Sequence, residues 1–161
     1  MSHIELRCPR CGISRPADMS AEACLDCGSP LNVAFIAGES NHGHAVPSPV
    51  HDDSAKVTLG EGDTPCVHLT TFSGRLPLGK LYAKLEFLNP TGSFKDRGTA
   101  TMLSVAREHG VTELVEDSSG NAGASVSAYA ARAGIKAHIF VPADAPEAKL
   151  RQIRAYGTEV H

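Results

Sequence analysis

The segment NPTGSFKDRG, residues 89–98, decides the fold of this chain, because it predicts a turn that leads directly into a helix. Its proline and first glycine are typical turn residues, Ser93 is a favourable N-cap, and an apolar helical pattern follows as far as Gly110. Lys95 then lies in the first helical turn, where the positive end of the helix dipole disfavours the ammonium form. Partial burial beside Phe94 would lower the pKa of the lysine further. A neutral lysine is a nucleophile that forms Schiff bases with aldehydes.

The alternative for Lys95 is an ordinary surface lysine that pairs with Asp96 or Glu86. Against it, the segment 89–98 resembles the lysine segment of the fold-type II pyridoxal-phosphate enzymes, and that of the threonine synthase family in particular. This resemblance implies that Lys95 carries pyridoxal 5'-phosphate covalently, with Phe94 beside it in the cofactor site.

A second motif follows about 25 residues later. Residues 113–116 predict a strand, residues 117–123 (DSSGNAG) a glycine-containing turn, and residues 121–133 a helix of small residues that packs on both sides. Backbone N–H groups at such a helix start bind anions. The dinucleotide fingerprint is not met, so we expect a carboxylate or a single phosphate.

The sequence SSGNAG resembles the substrate-carboxylate loop of the same family. The resemblance implies that Asn121 hydrogen-bonds the 3'-oxygen of the cofactor ring. It also implies that the substrate carboxylate is bound by Ser118, Ser119, Gly120, Asn121 and Ala122. Many members of the family have threonine at the position of Ala122, so a hydroxyl contact is lost here while the backbone N–H remains. The alternative is an ordinary turn between a strand and a helix.

The other elements predict an α/β fold. We expect strands at residues 81–88, 136–141 and 158–161, and a helix that begins with a capping box from Asp144 to Glu147. Short connections between these units imply a parallel sheet with right-handed crossovers. The resemblance implies a fold-type II catalytic domain, of the kind found in the tryptophan synthase β subunit, with flanking helices. The segment GEGDTP, residues 60–65, is interpreted as structural, and Cys66 as a small buried residue.

Two CxxC pairs near the N-terminus predict a structural metal site. Each pair is followed by a glycine, and four thiolates suit tetrahedral zinc with no open position. The ligands would be Cys8, Cys11, Cys24 and Cys27. The alternatives are a thioredoxin-like redox pair or unpaired buried cysteines. A redox pair would require a strand that leads into a helix at the CxxC motif, and the sequence predicts none there.

The predicted organisation is therefore a zinc ribbon at residues 1–35, a linker at 36–56 and the N-terminal part of a catalytic domain at 57–161. The linker holds His42, His44 and His51, which we interpret as solvated rather than as a second metal site.

Composition excludes several classes of function. The 161 residues carry a net charge of -3 with no block of Lys or Arg, so neither nucleic acid nor an anionic membrane is an expected partner. No apolar run is long enough to cross a membrane, and the N-terminus lacks a signal region, so we expect a cytoplasmic protein.

The resemblance implies a lyase that converts O-phospho-L-homoserine and water into L-threonine and phosphate. A serine/threonine ammonia-lyase or a β-replacement enzyme, such as a cysteate or cysteine synthase, shares both motifs. A non-catalytic zinc-binding interaction module is the alternative from another class. The family's glycine-rich phosphate loop and the Ser or Thr facing the pyridine nitrogen have no counterpart after Gly123. We therefore expect a fragment or half of a split enzyme, with an amino-acid substrate, acting as a homodimer or with a partner chain that supplies the C-terminal part.

Overall fold

The computed structural model of this chain describes the following residues: 4–17, 23–35, 48–77 and 79–161. The chain divides into two compact units, Met1–Asp53 and Ser54–His161. Most of the predicted linker, residues 36–47 with His42 and His44, lies outside the described residues. The predicted domain boundaries stay a prediction.

The N-terminal unit contains a small antiparallel sheet in which β1 lies between β2 and β3. Both CxxC segments form tight turns that end on a glycine with positive φ, 78° at Gly12 and 68° at Gly28. Glycine is favoured there because it has no Cβ to clash in this backbone conformation. The three strands are β1 (Ile4–Arg7), β2 (Ser14–Pro16) and β3 (Asn32–Phe35).

The C-terminal unit begins with a short antiparallel pair, β4 and β5, and continues into a parallel α/β arrangement. Two 3-10 helices lie at Asp53–Ala55 and Glu86–Leu88. The remaining elements are β4 (Cys66–His68), α1 (Thr70–Ser73), β5 (Tyr82–Lys84), α2 (Lys95–Glu108), β6 (Glu113–Asp117), α3 (Asn121–Ala133), β7 (Lys136–Phe140), α4 (Glu147–Ala155) and β8 (Glu159–Val160).

The parallel sheet has the strand order β6-β7-β8, with β7 paired in parallel to both neighbours. Ile139 on β7 is fully buried, together with Leu103 of α2, Tyr129 of α3 and Ile153 of α4. This confirms the predicted parallel α/β fold. The helix of small residues has the predicted bounds, and its residues are buried continuously from position 123 to position 130.

Three local predictions are wrong. Residues 81–88 form only the three-residue strand β5 and then a 3-10 helix, rather than one strand. Helix α4 has no side-chain cap, so the predicted capping box from Asp144 to Glu147 does not form; Glu147 instead pairs with Arg154 at 2.6 Å. Cys66 is exposed rather than buried. Among the described residues, no helix is long and apolar enough to cross a membrane.

Candidate active site

The lysine segment forms the predicted turn and delivers Lys95 to the first position of α2. The backbone N–H of Lys95 donates to Ser93 Oγ at 3.3 Å, but Phe94 is the residue directly before α2 and no side chain caps the helix, so the predicted N-cap at Ser93 is wrong. The Lys95 ammonium lies 5.0 Å from the centroid of the Phe94 ring. Both side chains are exposed, Phe94 to 57%, so the predicted partial burial of the lysine is wrong. This contact is a cation–π interaction at a solvent-exposed position, where such interactions are weak.

The alternative partners of Lys95 are both engaged elsewhere. Asp96 is completely buried, and its carboxylate accepts hydrogen bonds from the Thr91 backbone N–H at 2.7 Å, the Thr91 hydroxyl at 2.5 Å and the Ser125 hydroxyl at 2.7 Å. Glu86 pairs with Arg97. Within the described part of the chain, no hydrogen bond or ion pair holds the Lys95 ammonium.

Glu86 is the centre of a polar network beside the lysine turn. Arg97 donates to both of its carboxylate oxygens, from Nε at 2.8 Å and from a terminal nitrogen at 2.9 Å. Thr64 and Asn89 donate to the same carboxylate at 2.9 and 3.0 Å. The hydrogen bonds from Arg97, followed by those from Thr64 and Asn89, lower the pKa of Glu86 to about 2. Because Asn89 Oδ1 also accepts from the Gly62 backbone N–H at 3.1 Å, the network joins the GEGDTP segment to the lysine turn.

The SSGNAG loop forms the predicted connection from β6 into α3. Gly120 precedes the first helical residue, Asn121, and its backbone N–H donates to Ser118 Oγ at 3.3 Å. A Cβ on Gly123 would collide with the Ser118 backbone oxygen, so the loop closes onto the helix only with glycine there. The first N–H groups of α3 have no partner inside the helix, as at any helix start. Asn121 is exposed, while the flanking residues Ser118, Ser119, Gly120 and Ala122 are partly buried.

The two motifs lie at neighbouring helix starts. Asp96 directly follows Lys95, and Ser125, which bonds it, lies one helical turn after Asn121. Gln152 of α4 also holds the lysine turn, since its Nε2 donates to the Thr91 backbone oxygen at 3.0 Å. The described fold therefore brings the lysine turn and the anion loop to the same part of the C-terminal unit. The individual cofactor and substrate contacts stay predictions.

The hydrogen-bonded pair of Tyr129 and the partly buried Glu61 has no signal in the sequence. The Tyr129 hydroxyl, on a fully buried side chain of α3, donates to Glu61 Oε2 at 2.7 Å. Burial, and then the adjacent carboxylate, raise the pKa of Tyr129 well above its usual range. The same Glu61 oxygen accepts from the Leu59 backbone N–H at 3.0 Å. These bonds anchor the GEGDTP segment, in agreement with its structural interpretation; no local pattern marks a pair separated by 68 residues.

The four cysteines of the N-terminal unit converge on one point, with all four sulfurs within 4.8 Å of one another. Three sulfur–sulfur distances are 3.5, 3.6 and 3.8 Å. A regular tetrahedron with Zn–S bonds of about 2.3 Å places its sulfurs about 3.8 Å apart. The backbone N–H of Cys11 donates to Cys8 Sγ at 3.4 Å and, together with neighbouring groups, lowers the pKa of that thiol to about 6, whereas neighbouring thiols and burial raise the pKa of Cys11 to about 12 and also raise the pKa of Cys27. The donor set and its spacing therefore fit a tetrahedral metal ion.

Comparison with known proteins identifies relatives of the C-terminal unit. A family model described as pyridoxal-phosphate dependent enzyme matches residues 57–161. Threonine synthase of Bacillus sp. (strain ULM1) is 43% identical over 113 residues, which cover 70% of this chain and 32% of that protein. Threonine synthase of Methanocaldococcus jannaschii is 34% identical over 170 aligned positions, which cover 96% of this chain and 42% of that protein.

Among solved structures, the processed form of threonine deaminase isoform 2 from Solanum lycopersicum matches with a TM-score of 0.55. It is 30% identical, and the match covers 61% of this chain and 27% of that chain. The chain spans about a third of the length of the first curated relatives that it matches.

Proposed function

This chain belongs to the pyridoxal-phosphate dependent enzyme family, and on that premise we propose that it is the N-terminal part of a lyase of the threonine synthase type. The proposed reaction converts O-phospho-L-homoserine and water into L-threonine and phosphate. The observation that carries the proposal is the pairing of a free lysine at the start of α2 with an anion loop at the start of α3. Identity to curated threonine synthases over most of the chain supports this choice of reaction.

The residues of the lysine turn fit an aldehyde cofactor. The Lys95 amine is exposed, its charge is not neutralised by an ion pair among the described residues, and the Phe94 ring lies beside it. When bound there, pyridoxal 5'-phosphate would supply an electron sink for cleavage of bonds at the substrate α-carbon. Lys95 would hold the cofactor covalently and, once released by substrate, would move protons to and from substrate carbon atoms through its Nζ.

The loop at residues 118–122 supplies the second part of the proposed site. Its backbone N–H groups at the start of α3 would bind the substrate carboxylate, because the helix dipole and unpaired N–H groups both favour an anion. Asn121 is exposed and can donate to the oxygen substituent of the cofactor ring. Ala122 has no side-chain hydroxyl and offers only its backbone N–H. Selectivity for the substrate would therefore depend on other residues.

Trapping of the cofactor tests the proposed site directly. The purified chain would be mixed with pyridoxal 5'-phosphate, reduced with borohydride and digested, and the labelled peptides identified by mass spectrometry. We expect the label on Lys95 and its loss in Lys95→Ala. Lys80→Ala, which removes another exposed lysine, is the matched control and should keep the label. Label spread over surface lysines, with no preference for Lys95, would contradict the proposed role of this residue.

The ammonia-lyase alternative is favoured by one observation, the similarity to the solved threonine deaminase. The two reactions differ in their products. Threonine and phosphate formed from O-phospho-L-homoserine would support the first proposal, whereas a 2-oxo acid and ammonia formed from L-threonine would replace it with the second. A homodimer, a partner chain that supplies the C-terminal part, and a cytoplasmic location stay predictions.

We further propose that the cysteine cluster holds a structural zinc ion. The tetrahedral spacing of the four sulfurs supports this assignment, because four cysteine thiolates are a usual ligand set of structural zinc. Four protein ligands leave no open position, so the ion would stabilise the N-terminal unit rather than act in the reaction. Metal content measured by mass spectrometry tests this, with Cys66→Ser as the control because Cys66 lies outside the cluster.

A further inference from the structure

A second cluster of metal-ligating side chains lies on the parallel sheet, on the face opposite the buried Ile139. His138 on β7 is paired in register with Glu159 on β8. The backbone of His161 continues this ladder, since its N–H donates to Ile139 O at 2.9 Å and its oxygen accepts from Val141 N–H at 3.0 Å. Both histidines and the glutamate are therefore held on adjacent strands by backbone hydrogen bonds, rather than on a mobile loop.

Three donor atoms of this cluster point at one another. His138 Nδ1 lies 2.9 Å from His161 Nε2 and 3.3 Å from Glu159 Oε2, and His161 Nε2 lies 3.9 Å from the same oxygen. A zinc ion with bonds of about 2.0–2.1 Å to nitrogen and oxygen in a regular tetrahedron would separate its donors by about 3.4 Å. The observed distances lie on both sides of that value, so small side-chain rotations bring all three donors to bonding distance.

Glu113 orients the central histidine. Its carboxylate accepts a hydrogen bond from His138 Nε2 at 2.6 Å, which places the ring proton on Nε2. The Nδ1 lone pair of His138 then faces His161 and Glu159. A carboxylate behind a ligating histidine is the arrangement that fixes tautomer and orientation in many metal sites. The side chain of His138 is only 16% exposed, so its ring is also constrained by packing.

The charges around the cluster are also suited to a divalent cation. Two carboxylates, Glu113 and Glu159, face one cation, Lys136, whose ammonium lies 3.2 Å from Glu159 Oε1 and 3.6 Å from Glu113 Oε1. With both histidines neutral, the two carboxylates and the one ammonium give the cluster one net negative charge. Lys136 contacts the Glu159 oxygen that does not face the histidines, which leaves Oε2 available as a ligand.

We propose that His138, His161 and Glu159 form a zinc-binding site on the exposed face of the sheet, separate from the cysteine cluster. Glu113 is its positioning residue. Two imidazoles and a carboxylate are ligands that zinc accepts, and three protein ligands leave a fourth position open to water or to a small anion. The site is independent of the lysine turn and of the anion loop.

Zinc titration of the untagged 161-residue chain tests this proposal. The chain would first be given one equivalent of zinc and dialysed, and then titrated with zinc alone in a calorimeter. We expect binding of a further equivalent, lost in the double variant with His138→Ala and His161→Ala. His109→Ala removes an exposed histidine at the end of α2 and is the matched control. A further equivalent that persists in the double variant, or none in the unmodified chain, would overturn the assignment.

Two single variants distinguish a metal site from a hydrogen-bonded histidine pair. Glu113→Gln should weaken zinc binding about 10–100-fold, the usual effect of removing a carboxylate behind a ligating histidine. Lys136→Met should instead strengthen binding, because it removes a positive charge next to Glu159. All of these residues lie on the exposed sheet face, and circular dichroism checks that the variants fold. Equal affinity in both variants would show that zinc binds elsewhere.

Discussion

Asp96 and Ser125 are joined by a 2.7 Å hydrogen bond that connects the second residue of α2 to the second turn of α3. The Asp96 carboxylate is fully buried and also holds the backbone and hydroxyl of Thr91. One side chain therefore sets the position of the lysine turn relative to the anion loop. The geometry of the proposed site therefore depends on a buried residue that makes no contact with Lys95 Nζ among the described hydrogen bonds and ion pairs.

Replacement of Asp96 by alanine should destabilise the C-terminal unit. The change leaves three buried donors without an acceptor, and each unsatisfied group costs about 1–3 kcal/mol. We expect the free energy of unfolding to fall by about 3 kcal/mol or more, measured by urea denaturation followed with far-UV circular dichroism. Asp144→Ala is the control and should change stability by less than about 0.5 kcal/mol, because Asp144 is exposed and caps no helix. Similar losses in both variants would refute the role of Asp96.

Two glycine substitutions in neighbouring helices should have opposite effects. Gly123→Ala places a Cβ against the Ser118 backbone oxygen, so the anion loop must shift, and we expect a loss of about 3 kcal/mol. Gly98→Ala meets open space in α2 and should stabilise the protein by about 0.4–1 kcal/mol, since alanine reduces the freedom of the unfolded chain. Thermal unfolding of both variants measures the difference. A stable Gly123→Ala protein would mean that the loop has room that the structure does not show.

Stability should fall in acid partly because of Glu86. Its pKa is about 2 in the folded protein against an ordinary value of 4.5, so its contribution is complete above about pH 4.5. That contribution is lost as the pH falls from about 4.5 to about 2, when the folded carboxylate takes up a proton. Arg97→Gln removes the main cause of the lowered pKa and should flatten this part of the stability profile. Urea midpoints measured across this pH range in both proteins provide the comparison; parallel profiles would contradict the assignment.

Removal of metal should unfold the N-terminal unit selectively. The unit contains a sheet of three short strands, and the buried residues Cys8 and Cys24 belong to the cluster itself. Small metal domains owe much of their folding free energy to the bound ion. We expect chelation to abolish the dispersed amide signals of residues 4–17 in a nuclear magnetic resonance spectrum, while those of α3 persist. Cys8→Ser should reproduce this loss without chelator, and retention of these signals would show that the unit folds without metal.

Much of the fold follows from local patterns in the sequence. The bounds of α3, the turn before Lys95 and the two CxxC turns depend on residues close together in the chain, such as the glycines at 92, 12 and 28, which all have positive φ. The parallel sheet follows from the alternation of strands and helices with short connections. These features are predictable because helix starts, turns and amphipathic periods are short-range properties.

Only the tertiary structure decided which distant groups meet. The exposure of Lys95 and Cys66, the burial of Asp96 and the bond from Tyr129 to Glu61 depend on segments that approach from elsewhere in the chain. Asp144 has the residue type and the position of a capping residue, yet its side chain does not cap α4. Burial and the choice of a hydrogen-bond partner are settled by the free energy of the whole packed unit. A local pattern states which groups are able to bond, and packing selects which of them do.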